Sequence, residues 1–260
     1  MELKREEDMT PDERAQENLD RHLGRNPYPG RGLVVGRSSD DDAWLVVYFI
    51  MGRSPNSRNR RFVQEGTTLR TEPVDVEKVE DPSLIIYEAM LEVEGAYLVS
   101  NGDQTRTIAD SVVAGGSFDG ALATRQREPD APNYTPRISA MVDFGGLEGQ
   151  GREARFALSI LKANVLDPEE TDRTTYRPAR PAPGRGWLLT TYQGDGTPLP
   201  TFEGDPLAVP CVGTPLEVLE TYWKALDGDN RISLAVKRIP DDGSATSLEI
   251  KNLYPGLCSQ

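Results

Sequence analysis

The chain has 260 residues, 37% of them hydrophobic and 27% charged, enough to bury a full core as one large domain or two small ones. Its net charge of −13 excludes a general nucleic-acid binder, which needs a positive face. Two cysteines without CxxC spacing and a single histidine, His22, exclude a Cys/His zinc site.

His22 sits in a charged N-terminal stretch, which also argues against a Ser-His or Cys-His nucleophile pair. No apolar run approaches the length of a membrane span, and Met1-Glu2-Leu3-Lys4-Arg5-Glu6-Glu7 is not a secretory leader, so a cytoplasmic protein is expected. Residues 1–25 read as a charged, peripheral extension and 26–260 as a single domain. Within the extension, Thr10-Pro11-Asp12-Glu13 predicts a capped helix running to about Leu23 and stopping at Gly24.

Tyr28-Pro29-Gly30-Arg31 leads into a short strand, Leu33–Gly36, and Asp40-Asp41-Asp42 forms an exposed hairpin tip. The apolar run Trp44–Met51 returns as a buried strand and stops at Gly52. Between Arg53 and Arg61 the chain then places four arginines, two serines and two asparagines. Guanidinium forks match phosphate or carboxylate oxygens, so this loop is a candidate anion site, although a solvated basic turn is the competing reading. Antiparallel pairing of the two strands would bring Arg31 to the same sheet edge as the loop.

Further strands are expected over 62–81, and a second hairpin pairs Leu84–Met90 with Ala96–Ser100 around Glu94-Gly95. The polar turn Asn101-Gly102-Asp103-Gln104-Thr105 feeds a helix to about Ala114, and another helix covers Phe118–Arg125. The stiff segment Glu128–Arg137, with three prolines, enters the strand Ile138–Phe144, which pairs with Arg155–Leu161. Residues 167–186 read as a long loop and Trp187–Tyr192 as a strand. Thr214-Pro215-Leu216-Glu217 caps a helix that sets Leu216, Leu219, Tyr222, Trp223 and Leu226 on one core-facing stripe. Ile232–Ile239 is the last strand expected, with a loosely packed tail behind it. Strands, then paired helices, then strands again fit an α+β layered domain.

The polar clusters stand at strand ends, and in order they resemble the archaeal-type IMP cyclohydrolase family and its bacterial relatives. The likeness rests on Tyr28-Pro29-Gly30-Arg31, Tyr48 through Arg60, Asp81-Pro82 leading to Tyr87, Asn101-Gly102-Asp103-Gln104-Thr105, and Asn133-Tyr134-Thr135-Pro136-Arg137-Ile138. It extends in bacterial relatives through Thr191-Tyr192, Asp195-Gly196 and Phe202-Glu203-Gly204.

The resemblance implies a four-layer αββα sandwich of two antiparallel sheets, similar to the N-terminal-nucleophile hydrolases but without their nucleophile. It implies ring closure of 5-formamidoimidazole-4-carboxamide ribonucleotide (FAICAR) to IMP in the last step of purine biosynthesis. The substrate is thus a purine nucleotide precursor, no metal or cofactor is called for, and a homo-oligomer is expected. Tyr87 and Glu128 become the candidate proton-handling pair; Arg31, Arg53, Ser54, Asn56 and Arg58 the candidate contacts to the 5′-phosphate and the nearby ribose or carboxamide. Asn101, Asp103 and Arg137 are candidate base, ribose or supporting contacts. An amidohydrolase on the same scaffold and a non-catalytic nucleotide-binding protein are the alternatives.

Overall fold

The computed structural model describes residues 8–79, 82, 85–145, 154–242 and 244–254. Asp81, Leu84 and Cys258, which enter the sequence reading above, lie outside that set.

Nine residues of strand β2 (Ala43–Met51) are buried along its whole length, and its side chains alternate between two different cores. Trp44, Val46, Tyr48 and Ile50 point one way; Leu45, Val47, Phe49 and Met51 point the other. That is the period of two that a strand imposes, here with both faces covered. β2 pairs antiparallel with β1 (Arg31–Arg37), Arg31 standing opposite Ile50.

Around them a six-stranded antiparallel sheet (sheet A) is completed by β10 (Arg185–Thr190), β11 (Leu207–Pro210), β12 (Arg231–Pro240) and β13 (Ser247–Asn252), in the order β11-β10-β1-β2-β12-β13. The second sheet (sheet B) has seven antiparallel strands in sequence order. They are β3 (Arg61–Glu65), β4 (Thr68–Glu72), β5 (Glu88–Val93), β6 (Ala96–Ser100), β7 (Arg137–Asp143), β8 (Arg155–Ala163) and β9 (Thr171–Tyr176).

One face of each sheet shares a common core: Leu33, Trp44 and Tyr48 from sheet A with Leu69, Ala89, Ile138, Ala140 and Leu158 from sheet B. The outer face of sheet A is covered by helix α1 (Pro11–Leu19), its π-helical continuation (Asp20–Gly24) and α5 (Pro215–Ala225), through Leu19, Leu23, Leu219, Tyr222 and Trp223. Helices α3 (Gln104–Val113) and α4 (Phe118–Ala123) cover the outer face of sheet B through Ile108, Ala109, Phe118 and Leu122. Each buried Leu, Ile or Phe among them contributes roughly 1.5–3 kcal/mol. No helix among the described residues is long and apolar enough to cross a membrane.

Several elements differ from the sequence reading. The stretch 167–186 contains β9 rather than a continuous loop, β11 was not anticipated, and the tail forms β13. These three are edge strands: β9 carries no aliphatic residue, β11 has only four residues, and β13 offers only Leu248 and Ile250, so each gives a weak local signal. β5 begins at Glu88, four residues later than Leu84. Helix α1 does not stand off from the fold, because Ala15, Leu19 and Leu23 are buried against sheet A. Leu216 at the start of α5 is exposed, and Val218 takes the core position instead.

Candidate functional site

Gly52 ends β2 where a side chain would not fit: a Cβ there would lie 2.6 Å from the Ser57 carbonyl oxygen. The chain turns, and Ser54 caps the single helical turn α2 (Pro55–Arg58), with the Ser57 amide donating to Ser54 Oγ at 3.1 Å. This turn sets Ser54, Asn56 and Ser57 along one wall of a cavity of about 310 Å³. Tyr28, Arg31, Arg60, Tyr192 and the 130–135 segment form the rest of its wall. The hairpin register therefore brings Arg31 to the arginine loop, as the pairing of β1 and β2 requires.

Arg31 leaves Gly30 in the left-handed region (φ 76°), where a Cβ would lie 2.3 Å from Thr191 Oγ1. That close approach seats the Arg31 guanidinium among the phenols of Tyr28, Tyr48, Tyr87 and Tyr192. Burial opposes its charge, but the phenols more than offset burial and hold the guanidinium above the ordinary arginine value. The Arg31 side chain makes no hydrogen bond or ion pair among the described residues, and its Nε is buried without a partner.

Arg60 is only 1% exposed and donates from Nε to the Ser57 carbonyl at 3.0 Å and from Nη2 to the Met51 carbonyl at 3.4 Å. Burial and the neighbouring Arg31 both lower its pKa. Two guanidiniums thus face each other with no carboxylate in ion-pair contact among the described residues. Buried charges are ordinarily paired, so two guanidiniums beside a cavity are suited to hold an anion.

Arg53 stands at the cavity mouth, its guanidinium 4.7 Å from the centre of the Tyr28 ring and ion-paired to Asp195. Arg58 is not brought to the cavity: it donates to the carbonyls of Gly52 (3.1 Å) and Asp229 and reaches Tyr254 Oη at 3.4 Å. Arg60 occupies the inward place that the sequence reading gave to Arg58.

Tyr87 is buried within electrostatic reach of Arg31, its hydroxyl 2.7 Å from that of Tyr48. Burial and the adjacent Tyr87 hold the Tyr48 hydroxyl well above the usual phenol range, while Arg31 and Arg60 pull it down. Tyr87 also lines a second cavity of about 590 Å³, together with Asp103, Arg70 and Arg106.

Glu128, Asp103 and Arg137 form one polar cluster. Arg137 donates from Nη1 to Asp103 Oδ1 (2.7 Å) and Gln104 Oε1 (2.6 Å) and from Nη2 to Glu128 Oε2 (3.1 Å). Gly102 makes room for it, since a Cβ there would lie 2.7 Å from Arg137 Nη1 and 3.1 Å from Glu128 Oε1. Burial raises the Glu128 pKa above 4.5 despite the opposing pull of Arg137 and Arg31. Asn101 is turned to its own backbone, donating to the Pro136 carbonyl and accepting from the Ile138 amide, both at 2.8 Å. It fixes the entry of the 128–137 segment into β7.

Arg31 is the common neighbour of the two halves, lying within electrostatic reach of both Tyr87 and Glu128. The sequence reading missed Arg60, Tyr28, Tyr48, Tyr192, Thr135 and Asp130 as site residues.

A family model described as IMP cyclohydrolase-like protein matches residues 28–243, a span that contains every residue of the arginine cavity. The chain belongs to the IMP cyclohydrolase-like family. Among relatives, it is 30% identical over 216 residues to an IMP cyclohydrolase of Methanothrix thermoacetophila, covering 80% of this chain and 98% of the relative. It is 31% identical over 169 residues to an IMP cyclohydrolase of Methanopyrus kandleri, covering 64% of this chain and 75% of the relative. The family match begins at Tyr28, so α1 and its π-helical extension lie outside it.

Proposed function

We propose that this protein is an IMP cyclohydrolase that closes FAICAR to IMP with loss of water. The observation that carries the reading is the Arg31–Arg60 pair, two buried guanidiniums with no carboxylate in ion-pair contact among the described residues, ringed by four tyrosines beside a polar cavity. The name shared by the two relatives supports the same reading. So does the layering, since two facing antiparallel sheets with helices outside are compatible with an αββα sandwich resembling the N-terminal-nucleophile hydrolases. The enzyme would be cytoplasmic and homo-oligomeric and would use no metal or cofactor.

The arginine loop anchors the 5′-phosphate, with Ser54 and Asn56 beside it and Arg53 at the mouth. Ring closure then joins the carboxamide nitrogen to the formyl carbon within one molecule. Fixing the formyl group in its reactive rotamer supplies much of the acceleration, on the order of 7–11 kcal/mol for a well-oriented intramolecular attack. As the N–C bond forms, the formyl oxygen gains negative charge and takes a proton. The Tyr48–Tyr87 hydroxyl pair, next to Arg31 and Arg60, suits that task. The nitrogen must lose a proton, and Glu128, with a pKa raised by burial, is placed in the role of acceptor. The hydroxyl group formed from the formyl oxygen then leaves as water and the double bond of the ring closes.

A single-turnover reaction with synthetic FAICAR, followed by the absorbance of IMP, tests the reading. Formation of IMP at a rate proportional to enzyme is expected. Recovery of deformylated ribonucleotide instead would mean hydrolysis on this scaffold, and binding without conversion would mean a nucleotide-binding protein.

A further inference from the structure

Three hydrogen bonds in the cavity wall have a fixed direction. The Asp130 carboxylate accepts from the Thr135 amide at 2.6 Å and from the Thr135 hydroxyl. A carboxylate only accepts, so the Thr135 hydroxyl proton is committed to Asp130. Thr135 Oγ1 also lies 2.6 Å from the Tyr192 hydroxyl oxygen. With its own proton spent, Thr135 can only accept there, so the Tyr192 hydroxyl must be the donor. The chain Tyr192 to Thr135 to Asp130 therefore points the phenol's proton into the protein and leaves its oxygen with lone pairs alone.

Tyr192 and Thr135 both line the arginine cavity, and the Tyr192 hydroxyl lies within electrostatic reach of Arg31. The Tyr192 ring stacks on Tyr28, with centroids 6.1 Å apart, which fixes where the hydroxyl oxygen sits; turning its proton away from Thr135 would leave two oxygens 2.6 Å apart with no hydrogen between them. Asn56 adds a second acceptor to the same wall, since its Oδ1 is buried with no partner. A cavity whose guanidiniums call for an anion thus also presents oxygens that call for hydrogen-bond donors.

We infer that Tyr192, oriented by Thr135 and Asp130, is a specificity-determining residue that accepts a hydrogen bond from an O–H or N–H donor on the bound ligand. This rests on the nucleotide reading above. In a phosphorylated ribonucleotide the donor is a ribose hydroxyl or the N–H of the heterocycle's carboxamide. Asp130 and Thr135 are positioning residues, acting through Tyr192.

The test measures binding, by titration calorimetry on the full-length protein, and leaves turnover aside. The probes are 5-aminoimidazole-4-carboxamide ribonucleotide, its 2′-deoxy and 3′-deoxy forms, and its 4-carboxylate analogue. Tyr192→Phe keeps the stacked ring and removes the oxygen; it should weaken the parent ligand about tenfold, the worth of one hydrogen bond. It should leave unchanged the one analogue that lacks the donor, and that analogue identifies the source: deoxy for ribose, carboxylate for carboxamide. Thr135→Ser should behave as wild type, whereas Thr135→Val frees the phenol proton and should erase discrimination between parent and that analogue.

Equal loss for all four ligands, or none for the parent, overturns the inference, and if wild type still converts FAICAR the proposed function stands. If wild type binds none of the four, both fall together.

Discussion

Replacing Arg60 with methionine separates a residue kept for ligand binding from one kept for the fold. The guanidinium is almost fully buried beside Arg31, and no carboxylate pairs with it among the described residues. Desolvating an unpaired ion costs several kcal/mol even after relaxation, and methionine of similar length removes that cost. Against this stand the charge-assisted bonds to the Ser57 and Met51 carbonyls, about 1.5–3 kcal/mol each. The two nearly cancel, so Arg60→Met should melt within a few degrees of wild type, at about 2–4 °C per kcal/mol for a chain of this size.

Binding should weaken. One lost charge-assisted hydrogen bond is worth about 1.5–3 kcal/mol, or about 10- to 150-fold in affinity for a phosphorylated ligand. Calorimetric melting and titration with 5-aminoimidazole-4-carboxamide ribonucleotide give both numbers on one preparation. A melting point lowered by ten degrees or more with affinity intact would show that Arg60 serves the fold, and the reasoning from uncompensated charge would be wrong.

Four further outcomes are expected. Tyr87→Phe and Tyr48→Phe should each cut turnover at least tenfold with little change in ligand affinity, because each breaks the 2.7 Å hydroxyl pair; stopped-flow rates near wild type would remove the pair from the chemistry. Arg58→Ala should lower stability through the lost bonds to Gly52 and Asp229 while KM stays within about twofold, and a large rise in KM would return Arg58 to the ligand. Gly102→Ala should push Arg137 and Glu128 apart and lower turnover about tenfold or more; full activity would show that the cluster yields freely. Glu128 carries a pKa raised above 4.5 by burial, so the folded state holds its proton more tightly than the unfolded state and loses stability as pH rises through that range. Relative to wild type, Glu128→Gln should gain stability between low and neutral pH in denaturant titrations, and the acid limb of the wild-type rate profile, lying above the usual glutamate range, should vanish in the variant.

The strands that carry the site were legible because their apolar runs are long or their turns distinctive. Trp44–Met51 is buried on both faces, and the Glu94-Gly95 turn sits between β5 and β6. Helices α1 and α5 announce themselves through Thr10 and Thr214, whose side chains accept from Glu13 and Glu217 as a capping box requires. The edge strands were not legible, since Thr171–Tyr176 offers a single aromatic and no aliphatic residue to any alternation.

Within the site, Arg31 followed from hairpin register, but the choice between Arg58 and Arg60 did not. The single turn Pro55–Arg58 ends at Arg58, and a loop of four arginines carries no period that says which guanidinium ends inside. The Tyr192–Thr135–Asp130 chain joins residues 57 apart across two sheets, a proximity that no local pattern encodes.

Strand β12 lies between β2 and β13 in sheet A, yet it is made almost last, from Arg231 to Pro240. Until it emerges during synthesis, one whole edge of β2 is open, with nine apolar-run residues and their unpaired amides and carbonyls exposed. Such an edge invites pairing with another chain. The strand from Arg231 to Pro240 therefore acts as the closing stave of the sheet that holds Arg31, and a chain interrupted before Arg231 would be an aggregation hazard rather than a partial enzyme.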